Sequence, residues 1–386
     1  MEQEYITSTG YKILYAVFAL VLLVGSIIML ANVAKSVNGA EALLIFAVVA
    51  FAGAVAIAIN LYKRKVIVSD ESVSYYSIWG SKEFLKADIK GFRVAEKAIY
   101  IESVVDGYGK ITIRDYASIG SYKELIQWLN EHFADLNAVD YDAERNEILQ
   151  DTSLGRTEED RDSVLKKSRQ LTMYYGFGGM GLFFFTAYAH MTNPILAIVT
   201  LLYPIAGIVI MGTSKGIIRL FAKKNSAYPA IFTGLFLSSM AAVIQALLNA
   251  DILSYDNLWM PAIVFAVICF AVLYYLSVKK ANATLGSQII FIILTSAILG
   301  FGSSLLMNCA LDQSSPQVYA ATVTDAHISH GKSTTYHIVI GQWGPHQKEE
   351  NVAVPASFYY KVQVGGQVNV NLKKGLLNVP WFYLTK

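Results

Sequence analysis

The sequence predicts a membrane α-helical bundle of seven spans with two β units, one inserted between spans two and three and one at the carboxyl end. Three observations predict it. Of 386 residues, 54% are hydrophobic and only 16% charged, with a mean hydropathy of +0.43, whereas a soluble domain carries about 25% charged residues. Runs of about twenty residues free of Asp, Glu, Lys and Arg recur, enough to cross a hydrocarbon core about 30 Å thick at 1.5 Å per residue. Lys and Arg alternate between the intervening loops. An ordinary soluble globule and a disordered chain are excluded, and a net charge of +2 offers no field for nucleic acid.

The first run, 13–34, is closed by Lys12 and Lys35. The second, 42–62, is closed by Glu41 and by Lys63, Arg64 and Lys65. They form a transmembrane hairpin within 1–62. A double-length run from Gln170 to Ser214 divides at Asn193-Pro194, because the residue before proline is pushed out of the helical region. That gives 171–191 and 194–213. Spans 228–250, 258–278 and 287–311 complete a five-span bundle over 171–311. The first run is expected to be a retained anchor, being longer than the apolar core of a cleaved leader and preceded by Glu2 and Glu4.

Basic residues orient the spans. Lys63-Arg64-Lys65, then Arg161, Lys166, Lys167 and Arg169, then Lys215, Arg219, Lys223 and Lys224, then Lys279 and Lys280 all fall on one face. The opposite loops, 35–41, 191–194 and 250–257, carry few cations. The alternation places the amino terminus in the cytoplasm and the carboxyl-terminal domain outside it.

Residues 63–140 have ordinary polarity. Val66 and Val68, Val73 to Trp79, Phe84 to Phe92, Ile99 to Val105, and Ile111 with Ile113 read as short strands, with turns at Ser69-Asp70-Glu71 and Asp106-Gly107-Tyr108-Gly109. Ser121 and Glu124 form a capping-box pattern. Behind it, Leu125, Trp128, Leu129, His132 and Phe133 share one helical face that can close an open sheet. Short antiparallel strands sealed by one amphipathic helix, directly after a two-span hairpin, resemble the bacterial pleckstrin-homology-like membrane proteins. The resemblance implies a cytoplasmic PH-like domain and a bacterial plasma membrane. Eukaryotic relatives bind phosphoinositides through a basic cluster on the first hairpin. Here that hairpin carries Ser77, Lys82, Glu83 and Lys86, so headgroup binding is not expected.

Residues 141–170 read as a charged helical linker, with Thr157 and Asp160 as a second capping-box pattern and a helix running on into span three. Residues 312–386 read as a small outward β barrel of OB or SH3 type. Its strands are expected at Val318 to Ala326, Thr335 to Ile340 and Val352 to Val354, with a helical turn at Pro355 to Lys361, a tight turn into a strand over Val362 to Val370, and a closing strand at Leu377 to Leu384. Tyr360, Gly365, Val368, Val370, Gly375, Pro380 and Trp381 look like the carboxy-terminal outward β module of several uncharacterised bacterial membrane protein families, which implies architecture alone.

Candidate chemistry is sparse. Gly176-Phe177-Gly178-Gly179-Met180-Gly181 matches the dinucleotide pattern, but it lies inside an apolar span without a βαβ context, so it reads as helix packing. His327, His330, His337 and His346 concentrate in the last domain, three of them around one hairpin. A zinc or copper site there lacks carboxylate or thiol support, and the histidines read as exposed strand and turn residues. His190 reads as interfacial, and Cys269 and Cys309 as buried small apolar groups. No charged residue lies deep in any span, where coupled transporters keep them. Gln245, Asn308, Ser238, Ser239, Ser303 and Ser304 are the main internal polar groups, expected to bond between helices. No catalytic, cofactor or metal residue is assigned. The expected function is a non-enzymatic scaffold, sensor or assembly factor, with the lipid bilayer and protein partners on both faces. The alternative is a transporter or channel component for an uncharged or lipid-like substrate, and a hydrated cavity lined by those polar residues would favour it.

Overall fold

The structure is a computed structural model that describes residues 2–33, 40–105, 107–189, 194–281, 285–331 and 334–386. The chain forms two compact units, Met1–Ala143 and Glu144–Lys386. Among the described residues, six helices are long and apolar enough to cross a membrane: Thr9–Val33, Ala40–Lys63, Pro194–Thr213, Phe232–Asn249, Trp259–Lys279 and Gln288–Ala310. The run expected as a seventh span, 171–191, is not among them. Its described part belongs to a longer helix, and Gly and Tyr there take places held by Leu, Ile or Val elsewhere.

The first unit opens with a strand that the sequence reading missed. β1 (Gln3–Ile6) precedes the hairpin helices α1 (Thr9–Val33) and α2 (Ala40–Lys63), and the chain returns in β2 (Lys65–Val68). β1 pairs antiparallel with β2, Gln3 opposite Val68 and Tyr5 opposite Val66. β3 (Ser72–Ser77) and β4 (Gly80–Leu85) extend this sheet in the order β1-β2-β3-β4. A second sheet holds β5 (Ile89–Val94), β6 (Ala98–Ser103) and β7 (Lys110–Arg114). Alternating apolar residues from both sheets, among them Val66, Val73, Phe84, Phe92, Ile99 and Ile113, meet in one core with Tyr5. The helix α3 (Tyr122–His132) covers it with Leu125 and Leu129, both fully buried. Trp128 and Phe133 pack at the margin.

The helix start differs from expectation. Ser121 takes a left-handed conformation (φ 55°) and its hydroxyl caps nothing, so the capping box with Glu124 does not form. Thr157 and Asp160 do form one: the Asp160 N–H donates to Thr157 Oγ1 (3.2 Å) and the Thr157 N–H to Asp160 Oδ2 (3.1 Å).

α4 (Leu136–Gln150) leads into the second unit. There the stretch expected as a connector buries Ile148, Leu149, Leu154 and Leu165, and Arg145 pairs with Asp162 (3.0 Å). α5 (Glu158–Ala189) continues unbroken from the charged segment into the apolar one. α6 (Pro194–Thr213) opens on proline, which suits a first helical position; Asn193 lies outside the described residues. α7 (Phe232–Asn249) starts four residues later than the expected span, because 228–231 runs back along the loop as a bridge of Arg219 to Ala230. After β8 (Asp251–Ile252) come α8 (Trp259–Tyr274), a π-helical turn Tyr275–Lys280, and α9 (Leu285–Ala310).

Five further strands follow: β9 (Gln317–His330), β10 (Thr334–Ile340), β11 (Glu350–Val354), β12 (Gln367–Lys373) and β13 (Trp381–Thr385), with the short helix α10 (Ala356–Tyr359) before β12. The sheet order is β11-β10-β9-β12-β13-β8, curled into a nearly closed barrel. The long β9 makes the curl possible: its first half pairs with β12 and its second half with β10. Val323, Ile338, Ile340, Trp343, Val352, Val368, Val370 and Phe382 fill the interior. The last strand starts at Trp381 rather than Leu377, because 375–379 is bound to α9 instead.

Candidate functional site

Two places gather polar side chains in an organised way. In the first unit a cavity of about 940 Å³ opens between the ends of the hairpin helices and the β3–β4 turn. Arg64 forms one wall. It is buried, and its guanidinium donates to Ser118 Oγ (2.8 Å), to the Asp115 carbonyl (2.8 Å) and to the Arg114 carbonyl. The basic triplet read as a membrane flank is thus divided, since Lys65 pairs with Glu4 across β1–β2 (3.0 Å). Lys82 and Lys110 converge on the cavity, the Lys82 ammonium donating to the Lys110 carbonyl (3.2 Å). Arg114 lines it too, and Asp115 accepts a hydrogen bond from Tyr15 (2.5 Å). Trp79, at the turn, is 91% exposed. The sequence reading had only Lys82 at this place. Lys110 and Arg114 join it because β7 ends beside the β3–β4 turn, a tertiary fact with no local signal. The cavity can accept an anionic group.

The second place is the junction of barrel and bundle. Asn308, fully buried near the end of α9, donates from Nδ2 to the Val379 carbonyl (2.9 Å) and accepts at Oδ1 from the Leu377 N–H (2.9 Å). Its own carbonyl accepts from the Leu376 N–H (3.1 Å). Gly375, with φ 78°, has the Val379 carbonyl and the Asn308 amide where a side chain would stand. Asp312, four residues on, accepts from the Ser314 N–H (2.7 Å), the Gly375 N–H (3.0 Å) and the Trp381 indole (3.0 Å). Burial works against its charge, but these donors outweigh burial and hold the carboxyl below its usual range. From the other side β8 pairs with β13, Asp251 opposite Phe382. The Leu253 N–H donates to the Pro380 carbonyl (2.9 Å), and Asn257 Nδ2 to the Asn378 carbonyl (2.7 Å). Burial, with Glu350 facing it, pushes Asp251 up to about 6. Glu350 is likewise raised by burial, offset in part by His346.

The other polar residues of the bundle lie inside it, and Gln245 Oε1 is buried with no hydrogen-bond partner among the described residues. Ser238 and Ser239 donate to the Leu235 carbonyl of their own helix (3.1 and 2.7 Å), as a serine can bond the preceding turn, and Ser238 also meets the Tyr175 side chain of α5. Gln245, Ser303 and Ser304 are buried. A cleft of about 180 Å³ between α6, α8 and α9 contains Ser303 and Cys269 among aliphatic walls. In the glycine motif, Gly178 leaves room for the Tyr203 hydroxyl, and Gly179 lies 2.5 Å, measured from an added Cβ, from the Gly234 carbonyl. Tyr175 and Tyr203 stack (4.7 Å) and exchange hydroxyl-to-carbonyl hydrogen bonds (3.1 and 2.8 Å). These glycines serve helix approach.

Of the histidines, His327 and His337 oppose each other on β9 and β10 with stacked rings (5.3 Å). His330 lies at the end of β9, and His346 stands apart beside Trp343 and Glu350. Among the described residues no group of three or more His, Cys, Asp or Glu is placed to hold a metal ion. His190 lies outside the described residues. Comparison with protein-family models, with curated proteins and with solved structures returns no match.

Proposed function

We propose that this protein is a non-enzymatic integral-membrane scaffold, sensor or assembly factor of seven spans. Its basic loops and PH-like unit are placed in the cytoplasm of a bacterial cell, its barrel outside the plasma membrane. The observation that carries the reading is Asn308. This internal polar residue is buried, and its amide is bound to the barrel backbone on both sides. A bundle whose last helix commits a buried amide to holding the following domain suits the transmission of position.

The span count has support within the second unit. Arg169 near the start of the apolar half of α5 donates to the Ala227 carbonyl (3.1 Å), Glu144 accepts from Ser226 and Ala227, and Lys215 donates to the Ser153 carbonyl (2.6 Å). These bonds tie the polar half of α5 and the segment before it to the loop between α6 and α7, which supports reading the apolar half of α5 as a span. The PH-like reading is supported by sheets of four and three antiparallel strands closed by one helix. The Lys82–Lys110–Arg114 cavity gives that unit a place for an anionic group.

Photo-crosslinkers at Trp79 and Tyr360, both exposed, would be read in cells alongside solute flux into liposomes holding the full chain. Discrete adducts at both positions and no flux above protein-free liposomes are expected. Flux of a small uncharged solute, abolished by Gln245→Leu, would replace this reading with the transporter alternative.

A further inference from the structure

The glycine motif is only half explained by packing. Gly178 and Gly179 are pressed against neighbours, whereas a side chain at Gly176 would meet nothing within 4 Å. Gly176 lies in a cleft of about 370 Å³ between α5 and the start of α7. The two helices touch where Gly179 meets Gly234 and separate towards Arg169 and Pro229. Met173, Phe177 and Met180 line the cleft and are 49%, 59% and 37% exposed, so it opens sideways, towards the acyl chains if α5 spans the bilayer.

Its dimensions and charge select an occupant. From Arg169 to Met180 the helix rises about 16 Å at 1.5 Å per residue, close to half of a hydrocarbon core of about 30 Å. The cleft is therefore one leaflet deep. Arg169 stands at its polar mouth, on the face that also carries exposed Lys167, Lys223 and Lys224. Arg169 itself donates to the Ala227 carbonyl (3.1 Å), and Glu144 accepts from the Ala227 N–H (2.7 Å), so a headgroup would join a guanidinium already anchored there. Arginine suits phosphate, because its planar fork can donate two hydrogen bonds at once. Basic pockets between membrane helices on the cytoplasmic side bind anionic headgroups.

We infer that the α5–α7 cleft is a binding site for one anionic phospholipid of the leaflet on the basic side, with an acyl chain over Gly176 and its phosphate at Arg169. Gly176 is glycine because the chain takes the place of its side chain.

The test uses the delipidated full chain, given phosphatidylglycerol or phosphatidylcholine of matched chain length, with adducts counted by native mass spectrometry. The parent should hold one phosphatidylglycerol with roughly five- to tenfold preference over phosphatidylcholine. Gly176→Leu fills open space and should abolish that adduct without lowering the melting temperature. Gly181→Leu is the matched control: it also faces open space but lies outside the cleft, and should keep the adduct. Arg169→Gln should keep a lipid but lose the preference, and Arg169→Lys should restore part of it. Equal adducts in Gly176→Leu and Gly181→Leu would mean annular lipid only and overturn the inference. An unchanged preference in Arg169→Gln would overturn the role of the arginine.

Discussion

The two β units are fastened to their helices by opposite means. In the first, the helices are an insertion: the chain leaves the sheet after β1 and returns at β2, so the backbone ladder itself makes the joint and Arg64 only closes it. In the second, the barrel follows the last helix, and the joint falls to Asn308, Asp312 and the two-residue strand β8. A joint spread over a ladder tolerates the loss of any one side chain. A joint concentrated in a few side chains and a two-residue strand tolerates it less.

The largest effect should come from the core that both sheets share. Leu129→Ala removes a fully buried side chain and should cost about 2–5 kcal/mol, read as lost hydrogen-exchange protection across β2 to β7. Trp128→Ala should cost only about 1–2 kcal/mol. That ring is only partly buried, stacked on His132 (4.3 Å) and capped by the Lys86 ammonium (4.8 Å). If Arg64→Met unfolds this unit as fully as Leu129→Ala, the ladder is not the joint and the comparison fails.

Asn308→Ala comes next. It leaves the Leu377 N–H and the Val379 carbonyl without partners, at a cost of about 3 kcal/mol. Residues 375–382 should lose exchange protection and 311–317 should become cleavable, with the helices still folded. Unchanged protection at 375–382 would show that β8 alone holds the barrel.

A smaller effect sharpens the role of β8. Asp251 has a folded-state value of about 6, above the unfolded range, so its contribution to stability is complete below about pH 4 and is lost as pH rises through 6. Asp251→Asn should therefore stabilise the barrel at pH 7 by about 3 kcal/mol and change little at pH 4. Asp312 has the opposite sign: its carboxyl is held low, and what it contributes is lost as the pH falls. The smallest effect concerns the histidines. The full chain titrated with zinc at micromolar concentration should give no one-to-one isotherm. A stoichiometric isotherm lost in His327→Ala would add a metal to the means by which the barrel is held.

What could be read from the sequence follows from locality. Six of the apolar runs, most of the alternating strands and the Thr157–Asp160 cap are written in neighbouring residues, and the structure carries them. β1 escaped because Gln3 to Ile6 is only four residues long and finds its partner at Lys65 to Val68; no pattern within 1–12 announces a strand. Asn308 read as interhelical glue, since its bonding partners lie some seventy residues away in a loop expected to be strand. Ser121 carried the right residue types for a cap, yet the preceding turn places it in a left-handed conformation that points its hydroxyl elsewhere. Lys110 and Arg114 became neighbours of Lys82 only through sheet topology.

The placement of β1 also bears on how the chain is made. A ribosome delivers Gln3 to Ile6 first, but their partner strand emerges only after the whole hairpin. Until the two hairpin helices have crossed the bilayer and returned, Tyr5 has no core to enter and the edge of β2 stays bare. Closure of this sheet therefore waits on the hairpin, and loop-closure entropy favours it only once the hairpin has brought its two ends together. A chain whose hairpin fails to insert is left with an open sheet and an apolar edge on display, a form that quality-control proteases and chaperones can distinguish from the finished protein.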